Sequence, residues 1–473
     1  MRRGDVVYRF GGFELHPASG RLLRDGQRLA LADSASAVLV HLVNHAPAVL
    51  SKETLARAGW GGAATAVSVE KAMSRLRRIL DDGNGGGAYI ETVPNRGYRF
   101  VAVVDEVPAL ESVLPTGVDD EAFKAFVRGR RALATLNRHA IAAARHEFER
   151  TIASSPEYAP AHVGLSTACA LTFEATRFDP ACDLHQLTRA VTHAREGVAQ
   201  QPGFADAWSA LGFGLYIKGD ADGASVAACK AMAMEPASWR HSLRLAYVSW
   251  GEERVEAAQT ALALRPQLAL AYWLRATVLI ARGAFDQALA QLRDGCAAQD
   301  NQVAPSYPAV GLYLLRGLVL AAQDRLDEAA AAFDKELSVP DRGQLYWQEC
   351  VANTWYALGG IRLRQRDVAG AESAFRQAIA IAPAHAFSLA ALGEPLPELP
   401  PEDPRRVDVG IARAIALARG NRHAEAAHVY RDTITAATAP NAGWLLPVEP
   451  LLYVSGRPDI WRPVLTIVQQ RAT

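Results

Sequence analysis

VSVEKAMSRLRRIL (67–80) and, beyond a glycine-rich break, YIETVPNRGYRF (89–100) decide how the chain begins. In the first stretch Val69, Ala72, Met73, Leu76, Ile79 and Leu80 recur at helical spacing and make one apolar face. Ser68 stands where an N-cap belongs. At about 100° per residue, the opposite face centres on Val67, Lys71, Ser74 and Arg78, with Arg75 and Arg77 on its flanks and Glu70 beside Arg77. Such a face suits a major groove, with Lys71, Ser74 and Arg78 reaching base edges and Arg75 and Arg77 meeting phosphates. A run of charge on a helix also describes a merely solvated face. The second stretch discriminates. Tyr89–Val93 and Tyr98–Val103 read as two strands joined by Pro94-Asn95-Arg96-Gly97, a hairpin that can lay Arg96 into a narrow minor groove.

Working towards the N-terminus, Val7–Leu15 and Arg21–Leu31 read as short strands punctuated by Gly11-Gly12, Ser19-Gly20 and Asp25-Gly26. The Asp-Gly pair is a tight-hairpin signal. A helix is expected over 34–44, with Val38, Leu39, Leu42 and Val43 as its apolar stripe and Pro47 as its breaker. Ser51 then caps a second helix over 52–58, which Gly59 ends. Gly83–Gly87 contains no lysine and reads as a connector rather than a phosphate cradle.

These residues resemble the OmpR/PhoB-type winged-helix family, in particular its ToxR/CadC-like branch. The matching elements are Phe13-Glu14-Leu15, Gly26-Gln27, Leu29-Ala30-Leu31 and Val49-Leu50-Ser51-Lys52-Glu53-Thr54-Leu55. They continue with Trp60, Ser74-Arg75-Leu76-Arg77-Arg78 and the closing run from Tyr89 to Phe100. The resemblance implies a four-stranded N-terminal sheet, three helices and a C-terminal hairpin wing. It implies double-stranded DNA as the partner, with the third helix in the major groove and the wing arginine in the minor groove. It also implies a homodimer on tandem half-sites. Relatives touch RNA polymerase through the link between the second and third helices; here that link (59–66) is bland.

Across the whole chain the 50 Lys and Arg balance the 50 Asp and Glu, and half the residues are hydrophobic. The distribution is uneven. Residues 1–103 hold 14 Lys and Arg against 9 Asp and Glu, leaving 36 against 41 for the rest. A basic head on a mildly acidic body is a nucleic-acid signature. The five cysteines are scattered, without a CxxC pair, which argues against a disulfide framework or a zinc module. His41 and His45 lack the glutamate that zincin chemistry requires, so no metal or cofactor is expected. No nucleophile elbow, P-loop or dinucleotide fingerprint occurs, and an enzyme is not expected. No apolar stretch reaches the roughly 20 residues of a membrane span, so the expectation is a cytoplasmic protein with no membrane partner. The chain opens on the winged helix with no receiver domain ahead of it, which places the expected control downstream.

Downstream, the sequence repeats. Trp208, Leu211, Gly212, Gly219, Ala224, Ala231 and Pro236 fit a helix-turn-helix repeat of about 34 residues. Trp355, Leu358, Gly359, Ala371, Phe375, Ala378 and Pro383 fit the same frame, with further copies at Ala144–Pro156, 239–266, 272–288, 313–333 and 412–433. Small residues let paired helices approach, large ones fill the space between them, and proline stops the second helix. This resembles the tetratricopeptide-repeat family. The expected organisation is a winged helix-turn-helix over 1–104, a linker over 105–118, and an all-α repeat array over 119–473 ending in a closing helix, 460–471. If the first helix of each pair lines the concave side, Phe213, Tyr216, Trp273 and Tyr356 face a groove able to take a protein or peptide partner. Ordinary packing between repeats is the competing reading for these aromatics. The function expected is a DNA-binding transcriptional regulator. The alternative is a repeat scaffold whose winged helix docks protein.

Overall fold

The computed structural model describes residues 6–17, 20–24, 27–61, 66–80, 89–94, 96–102, 104–108, 115, 117–177, 179, 182–300, 311–401 and 403–473. Two compact units emerge, one of residues 1–116 with 299–306 and one of 117–298 with 307–473.

The first unit opens with strands β1 (Val6–Phe10), β2 (Phe13–His16), β3 (Arg21–Arg24) and β4 (Gln27–Leu29). Helices α1 (Asp33–Asn44), α2 (Lys52–Trp60) and α3 (Ala66–Leu80) follow, then the hairpin β5 (Ile90–Val93) and β6 (Gly97–Phe100), and last β7 (Asp105–Pro108). β3 and β4 pair antiparallel with Arg24 opposite Gln27. The Asp25-Gly26 turn expected between them lies outside the described residues, as do Gly83–Gly87.

Three expectations change here. The sheet has five strands, in the order β4-β3-β2-β1-β7, because residues 105–108 leave the expected linker and pair antiparallel with β1. That pairing satisfies the edge of β1 that β2 leaves open. Gly59 does not end α2; a Cβ there would lie 2.7 Å from Val38 Cγ2 and 3.0 Å from the Ser34 carbonyl, so its role is to let α1 and α2 touch. Gly61, at φ +65°, is the left-handed terminator instead. Nor does Ser68 cap α3, since the helix begins two residues earlier at Ala66.

The core between sheet and helices is aromatic at one end and aliphatic at the other. Phe10 meets Phe100 edge-on at 4.9 Å and Phe13 meets Tyr89 at 5.5 Å. Val38, Leu39, Leu55, Val69, Met73 and Leu76 complete it, each at most 1% exposed. Burying one such side chain contributes about 1.5–3 kcal/mol, so this face, not surface charge, holds α3 in place.

The second unit is built of helices, with no strand among its described residues. Its successive pairs are α4 (Asp120–Ala134) with α5 (Arg138–Ser154), α6 (Ala159–Thr176) with α7 (His185–Gln200), and α8 (Ala205–Lys218) with α9 (Ala221–Met234). Then come α10 (Trp239–Val248) with α11 (Gly251–Leu264), α12 (Ala269–Ala281) with α13 (Phe285–Asp300), and α14 (Leu312–Ala322) with α15 (Leu326–Leu337). α16 (Trp347–Arg364) with α17 (Val368–Ile381), the short α18 (Ala386–Leu392), α19 (Arg406–Arg419) with α20 (His423–Ala436), and α21 (Pro458–Arg471) complete the chain.

The pairing rule is visible atom by atom. A Cβ on Gly317 would lie 2.3 Å from the Phe333 ring, and one on Gly359 equally close to Phe375. In each pair the first helix gives up its side chain so that a phenylalanine sixteen positions on can lie against its backbone. The pair α6–α7 is an additional repeat unit. Its long first helix and the connection at 177–184 account for the wide gap between Pro156 and Pro202.

The array curls back on itself. The α4–α5 turn meets residues 341–345: Arg138 pairs with Asp341 at 2.6 Å, and Leu345 N–H donates to the Leu136 carbonyl at 3.1 Å. The curl borders a half-open cavity of about 1800 Å³. The C-terminal segment after α20 does not simply cap the last pair. It runs along the inner wall of the curl and covers part of it. Asn441 donates to the Tyr216 hydroxyl at 3.3 Å, Trp444 meets Trp273 edge-on at 6.2 Å, and the Tyr356 hydroxyl donates to Glu449 at 2.6 Å. Phe213 is buried against Tyr247 at 5.7 Å, with Arg244 over its ring at 4.0 Å. Phe213 is therefore packed away, whereas Tyr216, Trp273 and Tyr356 line the cavity and meet the C-terminal segment there. Among the described residues no helix is long and apolar enough to cross a membrane.

Candidate nucleic-acid interface

α3 turns the face made by Val69, Met73, Leu76 and Leu80 inward, which leaves Val67, Lys71, Ser74, Arg75 and Arg78 exposed. Lys71, Arg75 and Arg78 have no hydrogen-bond or ion-pair partner among the described residues. Their guanidinium and ammonium donors are open to a ligand. Val67, 56% exposed, starts the same stripe and offers a methyl surface among the cations.

Two expected neighbours are placed differently. Glu70 pairs with Lys52 of α2 at 2.5 Å rather than lying beside Arg77, and that contact raises the Lys52 amine above its ordinary pKa. As an exposed pair it adds little to stability, but it takes a carboxylate away from the cationic stripe. Arg77 does not project to solvent. Its Nε and Nη2 donate to the Ile90 carbonyl at 3.1 and 2.9 Å, and Nη2 also reaches Thr92 Oγ1 at 2.7 Å. The guanidinium lies 5.8 Å from the centre of the Tyr98 ring. Arg77 thus fastens α3 to the hairpin, and the phosphate contact expected of it is not available in this geometry.

The hairpin is held from the other side by the strand-like Leu50. Leu50 N–H donates to the Tyr98 carbonyl at 2.7 Å, and Tyr98 N–H returns the bond at 2.9 Å. That embrace explains Gly97: its φ is +128°, and a Cβ would stand 2.0 Å from the Leu50 carbonyl oxygen. The tip projects Arg96, exposed and without a partner among the described residues. Arg99, by contrast, is tied to Glu91 across the ladder at 2.6 Å. Asn95, beside the tip, lies outside the described residues, as does most of the link at 62–65.

Sequence reasoning missed Arg57, an exposed cation in the last turn of α2. The signal was available, since a basic residue four positions before Gly61 faces the side opposite Leu55. Among the described residues no cluster of His, Cys, Asp or Glu is arranged to hold a metal ion.

The fold and its cationic face can now be set beside known proteins. Residues 26–100 match the family described as transcriptional regulatory protein, C terminal. The N-terminal unit belongs to this family. It is a DNA-binding domain of transcription regulators, and the match spans α1 to α3 and both strands of the wing. The transcriptional activator CadC of Escherichia coli (strain K12) is 32% identical over 100 residues, which are 21% of this chain and 20% of that relative. The chain thus aligns with only a fifth of CadC's length. The solved DNA-binding domain of E. coli CadC is 30% identical, with 22% of this chain and 99% of that one covered at a TM-score of 0.20. For the helical unit, a tetratricopeptide-repeat protein from Parabacteroides merdae is 12% identical, covering 56% of this chain and 94% of its own at a TM-score of 0.39. The regulatory domain is followed by an array of antiparallel helix pairs, whose Gly317–Phe333 and Gly359–Phe375 packing is tetratricopeptide-like.

Proposed function

We propose that the protein is a transcription regulator that reads DNA with α3 in the major groove and the β5–β6 wing in the adjacent minor groove. One observation carries the reading: Lys71, Arg75, Arg78 and Arg96 are exposed cations, all without a carboxylate partner, on a helix and a hairpin that Arg77 locks together. Lys71, Ser74 and Arg78 read base edges, Arg78 being the one with the planar fork that fits guanine O6 and N7. Arg75 takes a phosphate, and Arg96 enters the minor groove, where its charge meets enhanced negative potential. Val67 packs on a thymine methyl.

The array carries the regulatory half of the protein. Residues 441–449 cover part of its inner wall, so a partner protein or a second copy would dock on the surface that this segment leaves free. A homodimer on repeated half-sites is the assembly this reading favours, and RNA polymerase is a partner to test. Action on chromosomal DNA places the protein in the cytoplasm.

Genome-wide footprinting with the full chain, followed by binding to the recovered sites over a salt series, tests the reading. A log K that falls linearly with log[salt] and a footprint with a repeated motif are expected. Protection without sequence preference, or affinity indifferent to salt, would overturn it.

A further inference from the structure

Arg254 of α11 carries a buried positive charge that no carboxylate among the described residues neutralises. The residue is 3% exposed and lines the half-open cavity within the curl. Its Nε donates to the Ser249 carbonyl at 2.9 Å, Nη1 to Thr277 Oγ1 at 3.0 Å and Nη2 to the Tyr247 carbonyl at 3.1 Å. All three acceptors are neutral, and two of the five guanidinium N–H groups are left over. The acids next to it in the chain are engaged elsewhere: Glu252 pairs with Arg282 at 2.8 Å, and Glu253 accepts from Ser225 Oγ at 2.9 Å. Burial lowers the guanidinium below its ordinary pKa, and the groups that pull it back are the Tyr216 and Tyr247 hydroxyls rather than a carboxylate. Two other arginines of the cavity wall are compensated. Arg177 meets Glu174 at 3.5 Å and also Glu349, and Arg405 meets Asp403 at 2.7 Å.

The surroundings add further donors. The Trp250 ring centre lies 4.6 Å from the guanidinium carbon, and its buried Nε1–H has no acceptor among the described residues. The Tyr216 hydroxyl accepts from Asn441 Nδ2 at 3.3 Å, which leaves its own proton to give. Thr277 already gives its proton to the Leu274 carbonyl at 2.6 Å. A buried cation without a counter-charge, set among spare donors, calls for a ligand that brings negative charge and acceptor oxygens. A carboxylate fits in charge and in shape. It supplies one negative charge for one spare positive charge, and its two oxygens match the planar guanidinium. A phosphate dianion would overfill the site, since Glu174 and Glu349 already outnumber Arg177 on the same cavity. Tyr216, Tyr247 and Trp273 also line it, the tyrosine rings edge-on at 5.8 Å, and such an aromatic wall covers a carbon skeleton.

We propose that Arg254 and the Tyr216 hydroxyl hold the carboxylate of a small organic acid, which enters the half-open cavity and supplies the counter-charge that the array lacks. The site lies wholly within the array and stands or falls independently of the DNA reading.

Calorimetric titration of the full chain tests it, with benzoate as the probe and benzamide, benzylamine and inorganic phosphate as comparisons. Saturable binding of benzoate is expected, with benzamide at least about tenfold weaker because it lacks the charge, and no binding of benzylamine or phosphate. Tyr216→Phe should weaken benzoate at least about tenfold, the loss of one hydrogen bond to a charged group. Arg254→Met should abolish its binding. Lys218→Gln, which removes an exposed cation of the same cavity, should leave it unchanged. Far-UV dichroism verifies the fold of each variant; if Arg254→Met does not fold, Tyr216→Phe and benzamide decide. The proposal is overturned if benzoate does not bind the wild-type chain at millimolar concentration, or if benzamide, benzylamine or phosphate binds as tightly. Benzoate binding that Tyr216→Phe or a folded Arg254→Met leaves intact, or that Lys218→Gln weakens equally, also overturns it.

Discussion

The Arg77 guanidinium donates to the Ile90 carbonyl, and this pair of bonds couples the reading helix to the wing. Deleting it separates two effects that a surface arginine would not show together. Arg77→Ala should lower domain stability by about 1–3 kcal/mol, since a half-buried carbonyl is left without its donor. It should also weaken DNA binding by freeing the hairpin that carries Arg96. Arg77→Lys should not restore either property, because a single ammonium cannot reproduce the fork. Urea melts and anisotropy titrations on the same variants check both. A variant with unchanged stability and a reduced salt slope would return Arg77 to the phosphate role.

Arg78 and Arg75 should fail differently. Arg78→Ala is expected to cost about 1–3 kcal/mol on the cognate site and to relax preference at one base pair. Arg75→Ala should weaken all sequences alike and flatten the salt slope by about 1. Competition with single-base operator variants distinguishes the two patterns.

Much of this was legible in the sequence, for a physical reason. The face of α3 follows from the 3.6-residue period alone, and the order of strand, helices and hairpin follows from Gly, Pro and capping residues close in sequence. What escaped was non-local. Arg77 and Arg78 are equal as letters, and only the position of Ile90 thirteen residues on separates a clasp from a reader. The strand at 105–108 looks like linker until β1 presents an open edge. The contact of the C-terminal segment with the inner wall needs Tyr216 and Asn441 to meet across 225 residues.

Gly97 should tolerate no side chain. Gly97→Ala places a Cβ 2.0 Å from the Leu50 carbonyl and keeps φ at +128°, so the Leu50–Tyr98 bonds must stretch or break. A destabilisation of about 2 kcal/mol or more is expected, of the order seen for strain at a special backbone position. Calorimetry of the full chain should show the transition of the regulatory domain moving down while that of the array stays in place. A joint shift would argue against it.

The inner wall should respond to pH through Glu449. Burial raises its carboxyl to about 7, even though Tyr356 and the Leu451 N–H donate to it. In the unfolded chain it titrates near 4.3. Between these values the folded state binds more protons than the unfolded state, so stability is fully present below about pH 4 and is lost as pH rises through 7. His385 works in the opposite direction: burial lowers it to about 4, so its contribution is lost as pH falls. The difference between wild type and Glu449→Gln isolates the first group, because glutamine still accepts from Tyr356. That variant should gain stability relative to wild type as pH rises from 5 to 8, read as a widening gap between two melting curves. A gap that stays constant would show that Glu449 ionises freely.

Trp444 decides whether the C-terminal segment is a fixed part of the array. Its ring stands edge-on to Trp273 and packs with Leu445 on the cluster around Leu312 and Leu318, midway between the Asn441 and Glu449 contacts. Trp444→Ala removes a half-buried aromatic that packs on Trp273 and the Leu312 cluster, at about 2–3 kcal/mol. Two consequences distinguish a fixed lining from a loosely laid tail. Hydrogen exchange should accelerate over 437–456 and, through lost cover, at the inner faces of α12 and α14, while α4 and α5 keep wild-type protection. Binding of a hydrophobic dye should rise, because the apolar inner wall becomes accessible. If exchange rises only within the segment and the dye does not bind, the inner wall closes without it, and the segment is laid on the array rather than built into it.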